Sequence, residues 1–334
     1  MLIGRRRRRV LSPLPSRIGN VARVRFAASG ALDPRGPAAR AIADLWWLML
    51  GLGAATFVVF ALVLVRGLLR GSASADDPGD ERPGWLVLLG GVALPTVVLT
   101  IVLAFTVRTM HTIPNAAPEG TLQIEVIGHQ WWWEIRYPQH GIVTANEVHL
   151  PVGRPVEFLL TSADVIHSFW IPQLGGKLDL LPEDVNTLVL QSDTPGVYRS
   201  QCAEFCGLQH AKMGLLAIAE PEERFSEWLQ REQAPARATA SSSAAAGGQQ
   251  LFADVGCTSC HTVRGTAADG TGGPDLTHFA SRQTLAAGSL PNTPEHLEGW
   301  VTDPHAIKEG VGMPATELDE GQRRVLIQYL EGLR

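Results

Sequence analysis

Two uninterrupted apolar runs dominate the first third of the chain. Leu45 to Val65 is 21 residues without a charge, and Gly84 to Val107 is 24. About 20 apolar residues cross a bilayer core, so the pattern predicts a transmembrane helical hairpin over 45–107, joined by a short loop, Arg66–Pro83. Burial inside a soluble core is the other reading, and two uncharged runs of this length disfavour it. Pro95 would break or kink a soluble helix, yet membrane helices tolerate it. Trp46, Trp47 and Trp85 stand at the run ends, where amphipathic rings prefer the membrane interface. From Thr121 to about Ala219 the period shortens to two. Leu122, Ile124 and Val126 alternate with polar neighbours, as do parts of Val156–Leu160 and Leu188–Leu190. Pro151-Val152-Gly153 and Thr194-Pro195-Gly196 break the pattern, which predicts an all-β sandwich or barrel. Pro221–Glu232 returns to helical spacing, with Phe225, Trp228 and Leu229 on one face. The small-residue stretch 234–248 reads as a flexible linker. Beyond it, Gly- and Pro-rich loops lead to helices predicted at Pro294–Val301 and Asp319–Leu333. The latter carries Val325, Leu326, Tyr329, Leu330 and Leu333 on one face. The fold class is therefore multidomain: residues 1–44 a basic segment, 45–107 a transmembrane α-helical hairpin, 108–233 a β-sandwich or barrel, 234–248 a linker, and 249–334 a small all-α domain.

Charge sharpens this division. Residues 1–44 carry ten Arg and two acids (10 − 2 = +8), while the remaining 290 of the 334 residues carry 18 basic and 31 acidic side chains. Such segregation excludes a uniform globule and any broad nucleic-acid-binding surface beyond the amino terminus. The run Arg5–Arg9 reads as a basic segment before cleavage or as an upstream start, because no continuous apolar core follows it before Leu45. Orientation is balanced on charge: Arg66, Arg70 and Arg82 in the loop offset Arg25, Arg35 and Arg40 in the flank. Residues 108–233 hold 8 basic and 16 acidic side chains (net −8), and 248–334 hold 6 and 11 (net −5). Two acidic domains repel, so their contact requires local pairing and the tether's effective concentration.

The four cysteines fall in two tight pairs that close only tiny loops, so they read as ligand or attachment sites. Cys257-Thr-Ser-Cys260-His261 is the spacing of c-type haem attachment, in which the thiols take the vinyl groups and His261 faces the iron. Met313, in Gly-Val-Gly-Met-Pro, follows as a second axial ligand; a thioether opposite histidine raises the potential. A redox disulfide or half a zinc site are the other readings of this pair, and His278, His296 and His305 are alternative axial ligands. Covalent haem is attached outside the cytoplasm, which puts the carboxyl end outside. The second motif, Cys202-Ala-Glu-Phe-Cys206-Gly-Leu-Gln-His210-Ala-Lys-Met213, offers two thiolates, an imidazole and a thioether. Soft ligands with imidazole select copper or zinc, and a weak axial Met points to electron-transfer copper. Two thiolates permit two bridged metals, for which His167 supplies another imidazole. A structural Cys2His2 zinc site also fits this set, although zinc has no use for Met213.

The segments Gly128-His-Gln-Trp-Trp-Trp133, Asp164-Val-Ile-His-Ser-Phe169 and Cys202–Met213 resemble subunit II of haem-copper cytochrome c oxidases. The tail is similar to the class I cytochrome c fused to some bacterial members. The resemblance covers roughly Asp33 to Arg334 and implies a cupredoxin-like domain with a binuclear CuA centre. In it Cys202 and Cys206 bridge two coppers, His167 and His210 bind one each, Met213 is a weak ligand and Glu204 binds through its carbonyl. It further implies that the Glu204 carboxylate reaches a magnesium ion at the subunit I interface, and that the aromatic run Trp131, Trp132 and Trp133 is where electrons arrive, with Trp131 favoured. At least one of these three is expected in the β-domain core. The chain departs from bacterial relatives that carry a lipid-modified Cys before Ala31-Leu-Asp-Pro34, since Phe26–Gly30 contains none. It also has three successive Trp where the family has aromatic variety.

The implied function is transfer of electrons from a cytochrome c, or an upstream quinol–cytochrome c reductase, through haem c and copper to subunit I, which reduces O2. Oxygen reduction and proton pumping lie elsewhere, because neither apolar run carries an ionisable residue. Further partners are subunit III and the membrane; no nucleic acid is implied. The location is the bacterial inner membrane, multi-pass, with both cofactor domains on the periplasmic face. A basic soluble cytochrome is expected to be steered to the acidic surface with strong salt dependence. The alternatives are the CuA subunit of a nitric oxide reductase and, in a different class, a membrane-tethered copper-delivery or redox-sensing protein. Quinol-oxidising relatives lack the copper cysteines, so Cys202 and Cys206 weigh against them.

Overall fold

A computed structural model of the chain describes residues 30–69, 84–114, 116–236 and 243–334. The Arg5–Arg9 run, most of the loop between the apolar runs and the centre of the linker lie outside the described residues. The first apolar run sits within α1 (Pro37–Leu69), 33 residues long. At 1.5 Å per residue that is about 50 Å, well beyond the ~30 Å of a bilayer core. The excess turns at the amino end do different work: Ala38, Ala39 and Ala43 are buried, and Arg40 pairs with Asp193 at 2.5 Å. Arg35 N donates to Gln173 O and Asp193 N to Arg35 O, so the helix start is fastened to the β domain. The second run forms α2 (Gly84–Leu88), a π-helical turn over Leu89–Ala93, and α3 (Leu94–Thr112). The expected tolerance of Pro95 takes this form. A ring with no N–H leaves a carbonyl of the preceding turn unpaired, and a wider turn absorbs the mismatch without ending the helix. Helices α1 and α3 pack together, and large side chains such as Phe57, Phe60, Leu99 and Leu103 remain exposed. Both helices are long and apolar enough to cross a bilayer, which would cover such a surface.

The β domain contains ten strands: β1 (Leu122–His129), β2 (Trp132–Tyr137), β3 (Ile142–Ala145), β4 (Glu147–Pro151), β5 (Pro155–Ser162), β6 (His167–Phe169), β7 (Leu178–Leu180), β8 (Asn186–Gln191), β9 (Gly196–Gln201) and β10 (Gly214–Glu220). A five-stranded sheet runs β3-β2-β1-β5-β8, a three-stranded sheet runs β4-β10-β9, and β6 pairs with β7. The alternation that predicted β1 and β5 puts Leu122, Ile124, Val126, Val156, Phe158 and Leu160 inside. Around them close Trp133, Tyr137, Phe169 and Leu150, all fully buried. Helix α4 (Glu222–Gln233) starts one residue after the predicted Pro221, which serves as its cap. It seals one end of the domain, stacking Trp228 on His149 at 4.2 Å.

The carboxyl domain comprises α5 (Ser243–Asp254), α6 (Pro294–Thr302), the single turn α7 (Pro304–Ile307) and α8 (Glu320–Gly332), the last opened by an Asp319/Gln322 capping box. Helix α5 begins inside the stretch read from composition as linker. Small residues signal flexibility only when nothing packs on them, and here alanines favour a helix. A Cβ at Gly248 would meet Tyr329 Cβ at 2.4 Å and Val325 O at 2.9 Å, so that glycine permits the close approach of α5 to α8. The predicted apolar face of α8 is buried at Leu326, Tyr329, Leu330 and Leu333, and Ile327 joins it.

The two acidic domains are docked, and local pairing does hold them. Glu147 Oε1 on β4 accepts the Gln283 and Thr284 amides at 2.6 and 3.0 Å, Arg282 donates to Thr144 Oγ1, and Gly214 N donates to Ala287 O. Burial pushes the carboxyls of Glu147 and Glu232 from their usual 4.5 up to about 7, with Arg282 opposing in both. A folded-state value above the unfolded one means the docked chain holds the proton more tightly. The contribution of these two carboxyls to stability therefore falls as pH rises from 4.5 to about 7 and is flat above, by about 3 kcal/mol for Glu147. Glu147→Gln is expected to flatten this part of the pH dependence of thermal unfolding while Glu232 keeps its own. An unchanged slope in that variant would contradict the assignment.

Candidate metal and haem sites

The loop from β9 to β10 carries Cys202, Cys206, the turn His210–Lys212 and Met213. Its ends are drawn together by Cys202 N donating to Met213 O, and it is pinned to β6 by Ala203 N donating to Ser168 O. This places His167, the first residue of β6, against the loop. A Cβ on Gly128 of β1 would lie 2.7 Å from the His167 ring, so only glycine leaves room for the imidazole there. The resulting donors converge. Cys202 Sγ is 3.7 Å from Cys206 Sγ and 3.9 Å from His167 Nδ1. Cys206 Sγ is 3.6 Å from His210 Nδ1 and 3.8 Å from Met213 Sδ. The Glu204 carbonyl lies 3.3 Å from Cys202 Sγ, while its side chain is exposed.

These spacings fit soft metal ions. Donors at about 2.3 Å (sulfur) and 2.0 Å (nitrogen) from one tetrahedral centre lie roughly 3.5 Å apart, close to both sulfur–nitrogen distances. Each cysteine has its own imidazole and the sulfurs are adjacent, so the donors form two thiol–imidazole pairs side by side. Burial, and then the neighbouring Cys202, push the Cys206 thiol up to about 12. Two buried thiols ionise together only beside positive charge, which a metal supplies. Burial also keeps the His167 imidazole neutral against the pull of Asp164. His167 Nε2 lies 2.8 Å from Asp164 Oδ1, so its N–H donates there and the Nδ1 lone pair faces the sulfur. Asp164 is a functional residue that the sequence reading missed; its i,i+3 spacing from His167 was the available signal. Asp164→Ala is expected to lower copper affinity by roughly 10–100-fold, checked by competition with a copper chelator. An unchanged affinity would remove Asp164 from the site.

The three tryptophans separate by environment. Trp133 is fully buried in the core and Trp132 stacks on His129 at 4.2 Å. Trp131 is 9% exposed and its Nε1 donates to Cys206 O at 3.0 Å, beside Gln130 Nε2 at 2.7 Å on the same carbonyl. Trp131 thus touches the metal loop directly, and a Cβ at Gly310 of the carboxyl domain would lie 3.8 Å from its ring.

In the carboxyl domain Cys257 opens a short 3-10 turn, Cys257–Ser259, that Cys260 caps, followed by His261. His261 Nδ1 donates to Pro274 O at 2.7 Å, which leaves Nε2 free as a ligand, and burial keeps the ring neutral. Cys257 and Met313 both pack against the carboxyl-domain core. The alternative ligands are engaged elsewhere or outward: His278 Nε2 contacts Ala234 O, His296 Nδ1 contacts Thr293 Oγ1, and His305 is exposed. A turn presenting two thiols and an oriented imidazole fits a covalently held haem.

Residues 140–219 match the cytochrome C oxidase subunit II, periplasmic domain family, and residues 245–334 match cytochrome c. The cytochrome c oxidase subunit 2 of Alkalihalophilus pseudofirmus is 34% identical over 313 residues, covering 91% of this chain and 90% of that protein. The cytochrome c oxidase subunit 2 of Bacillus subtilis is 31% identical over 296 residues, 83% of each. The periplasmic domain of subunit II of the Bradyrhizobium japonicum cytochrome oxidase is 28% identical, with a TM-score of 0.34 over 35% of this chain and 97% of that one. With identity sustained through both cofactor domains, the chain belongs to the cytochrome c oxidase subunit 2 family, in the form that carries a cytochrome c domain at its carboxyl end.

Proposed function

We propose that this subunit accepts electrons from a cytochrome c or an upstream quinol–cytochrome c reductase at haem c, and hands them through a two-copper CuA centre to subunit I, which reduces O2. The observation that carries the reading is the buried thiol pair, 3.7 Å apart, with an imidazole nitrogen beside each sulfur. Cys202, Cys206, His167, His210, Met213 and the Glu204 carbonyl would hold the coppers. Cys257, Cys260, His261 and Met313 would hold the haem. When bound, these groups supply reversible one-electron chemistry. The chain's own contribution is to fix the donors: Asp164 orients His167, Pro274 orients His261, and the barrel excludes water from both sulfurs. Trp131 is the residue through which electrons reach the copper loop. Its ring lies between that loop and the carboxyl domain. The exposed Glu204 carboxylate suits a magnesium site against subunit I, and subunit III completes the assembly. In this reading 45–107 crosses the bacterial inner membrane twice, 108–233 is the copper domain and 249–334 the haem domain, both periplasmic.

Purification of the complex from membranes, with metal analysis and optical and EPR spectra, tests this. Two coppers and one covalent haem per chain, with O2 consumed, are expected. Zinc in place of copper would overturn the copper centre. Consumption of NO instead of O2 would move the complex to the nitric oxide reductases.

A further inference from the structure

Besides Arg282, which reaches Thr144, the carboxyl domain buries a lysine in the seam between the two cofactor domains. Lys308, just after α7, is 2% exposed. Its Nζ donates to Trp131 O at 2.8 Å and Lys212 O at 2.9 Å, both in the copper domain, and to Ala286 O of its own domain at 3.3 Å. Trp131 is the aromatic that bonds Cys206 O, and Lys212 directly precedes Met213. On either side of Lys308 the contacts reverse direction. Lys212 Nζ donates to Ile307 O at 2.5 Å, and Gln209 Nε2 donates to Glu309 O at 2.9 Å. Three consecutive residues of the carboxyl domain are thus stitched to the copper-binding loop.

The chemistry of this contact is costly for mere adhesion. Burying an ammonium is expensive unless it is well paired, and a hydrophobic side chain of similar length often packs at no loss. Here the partners are carbonyls, and burial, with Lys212 adding to it, pushes the Lys308 ammonium down to about 7. Three fixed carbonyls around one tetrahedral donor do, however, define a position. An apolar seam could slide, whereas this one has a single register.

We propose that Lys308 is a positioning residue: by bonding Trp131 O and Lys212 O together, it sets the haem domain in one register on the copper loop. The inference rests on the functional reading above and adds the device that holds the two centres at fixed separation. When bound, haem and copper would supply the one-electron exchange, and this register would keep the residues that hold them at one separation. With the register lost, transfer waits on a productive re-docking of the tethered domain.

The test uses Lys308→Met in the purified oxidase complex. Backbone hydrogen exchange reads docking through the Gly214, Gln283 and Thr284 amides, which are bonded across the seam. Flash-induced electron transfer reads function. Exchange at those amides is expected to rise, and haem-to-copper transfer to slow, each by roughly ten- to a hundredfold, as follows from removing charge-assisted hydrogen bonds. Copper EPR, the haem spectrum and reduction of the haem by an added reductant should stay as in the parent. If Lys308→Met fails to accumulate, Lys308→Gln, which keeps one neutral donor, is expected to give an intermediate increase in exchange. Parental exchange and transfer in either variant would overturn the proposal. Absence of copper or haem in the parent complex would instead refute the functional reading, and the exchange measurement would still decide whether Lys308 sets the docking.

Discussion

Replacing Cys206 by serine is expected to abolish the copper centre while leaving the β domain folded. The Cys206 sulfur lies within 3.6–3.8 Å of Cys202 Sγ, His210 Nδ1 and Met213 Sδ, so it is the common neighbour of every other side-chain donor except His167. A hydroxyl at this position neither ionises at neutral pH nor offers a soft donor. Loss of affinity should exceed the roughly 10–100-fold that removal of an outer partner costs. Folding should survive, because the bonds from Gln130 and Trp131 go to the Cys206 main-chain carbonyl and the core is built from Trp133, Tyr137, Phe158 and Phe169. Copper content of the purified complex and thermal unfolding of the domain are the readouts. Retention of the parental copper content would show that the thiol pair is not the copper site.

A comparably large effect is expected from the double variant Cys257→Ala, Cys260→Ala, but on folding as well as on electron transfer. Residues 243–334 form a small domain whose core gathers Phe252, Phe279, Leu297, Leu326, Tyr329 and Leu330, with Cys257 and Met313 only partly buried at its edge. A unit of this size has limited apolar surface to bury, and a group bound only by the folded state stabilises it. Without the two thioether bonds the haem is lost, and with it the stabilisation that a group held only by the folded state supplies. Haem staining should be negative, protease should cut within 243–334, and the copper domain should keep its metal. A double variant whose carboxyl domain resists protease as the parent does would mean that this domain folds without its haem.

How far these sites were legible in the sequence depended on separation along the chain. The copper motif lies within twelve residues and the haem motif within five, so spacing alone displayed the ligand types, and the alternating strands showed what would hold them. The residues that tune and position the sites were hidden. Asp164 and Gly128 stood in the quoted segments without a role of their own until the fold set Asp164 against the His167 ring and left that ring the space of the missing Gly128 Cβ. Lys308 is 177 residues from Trp131, and no local pattern marks such a pair. Composition misled at Ser243–Gly248, where alanine and glycine signalled a linker but build a helix against α8. Net charge misled less: both outer domains are acidic, yet they meet through Glu147 and Lys308, individual groups that a sum of charges conceals.

The most direct test of the central account is time-resolved spectroscopy of the purified oxidase after a single electron is injected by a flash. The account predicts that haem c is reduced first, and that its reoxidation and the reduction of copper share one rate constant that does not change with protein concentration. Copper reduction that precedes the haem signal, or a shared rate that rises with protein concentration, would contradict it.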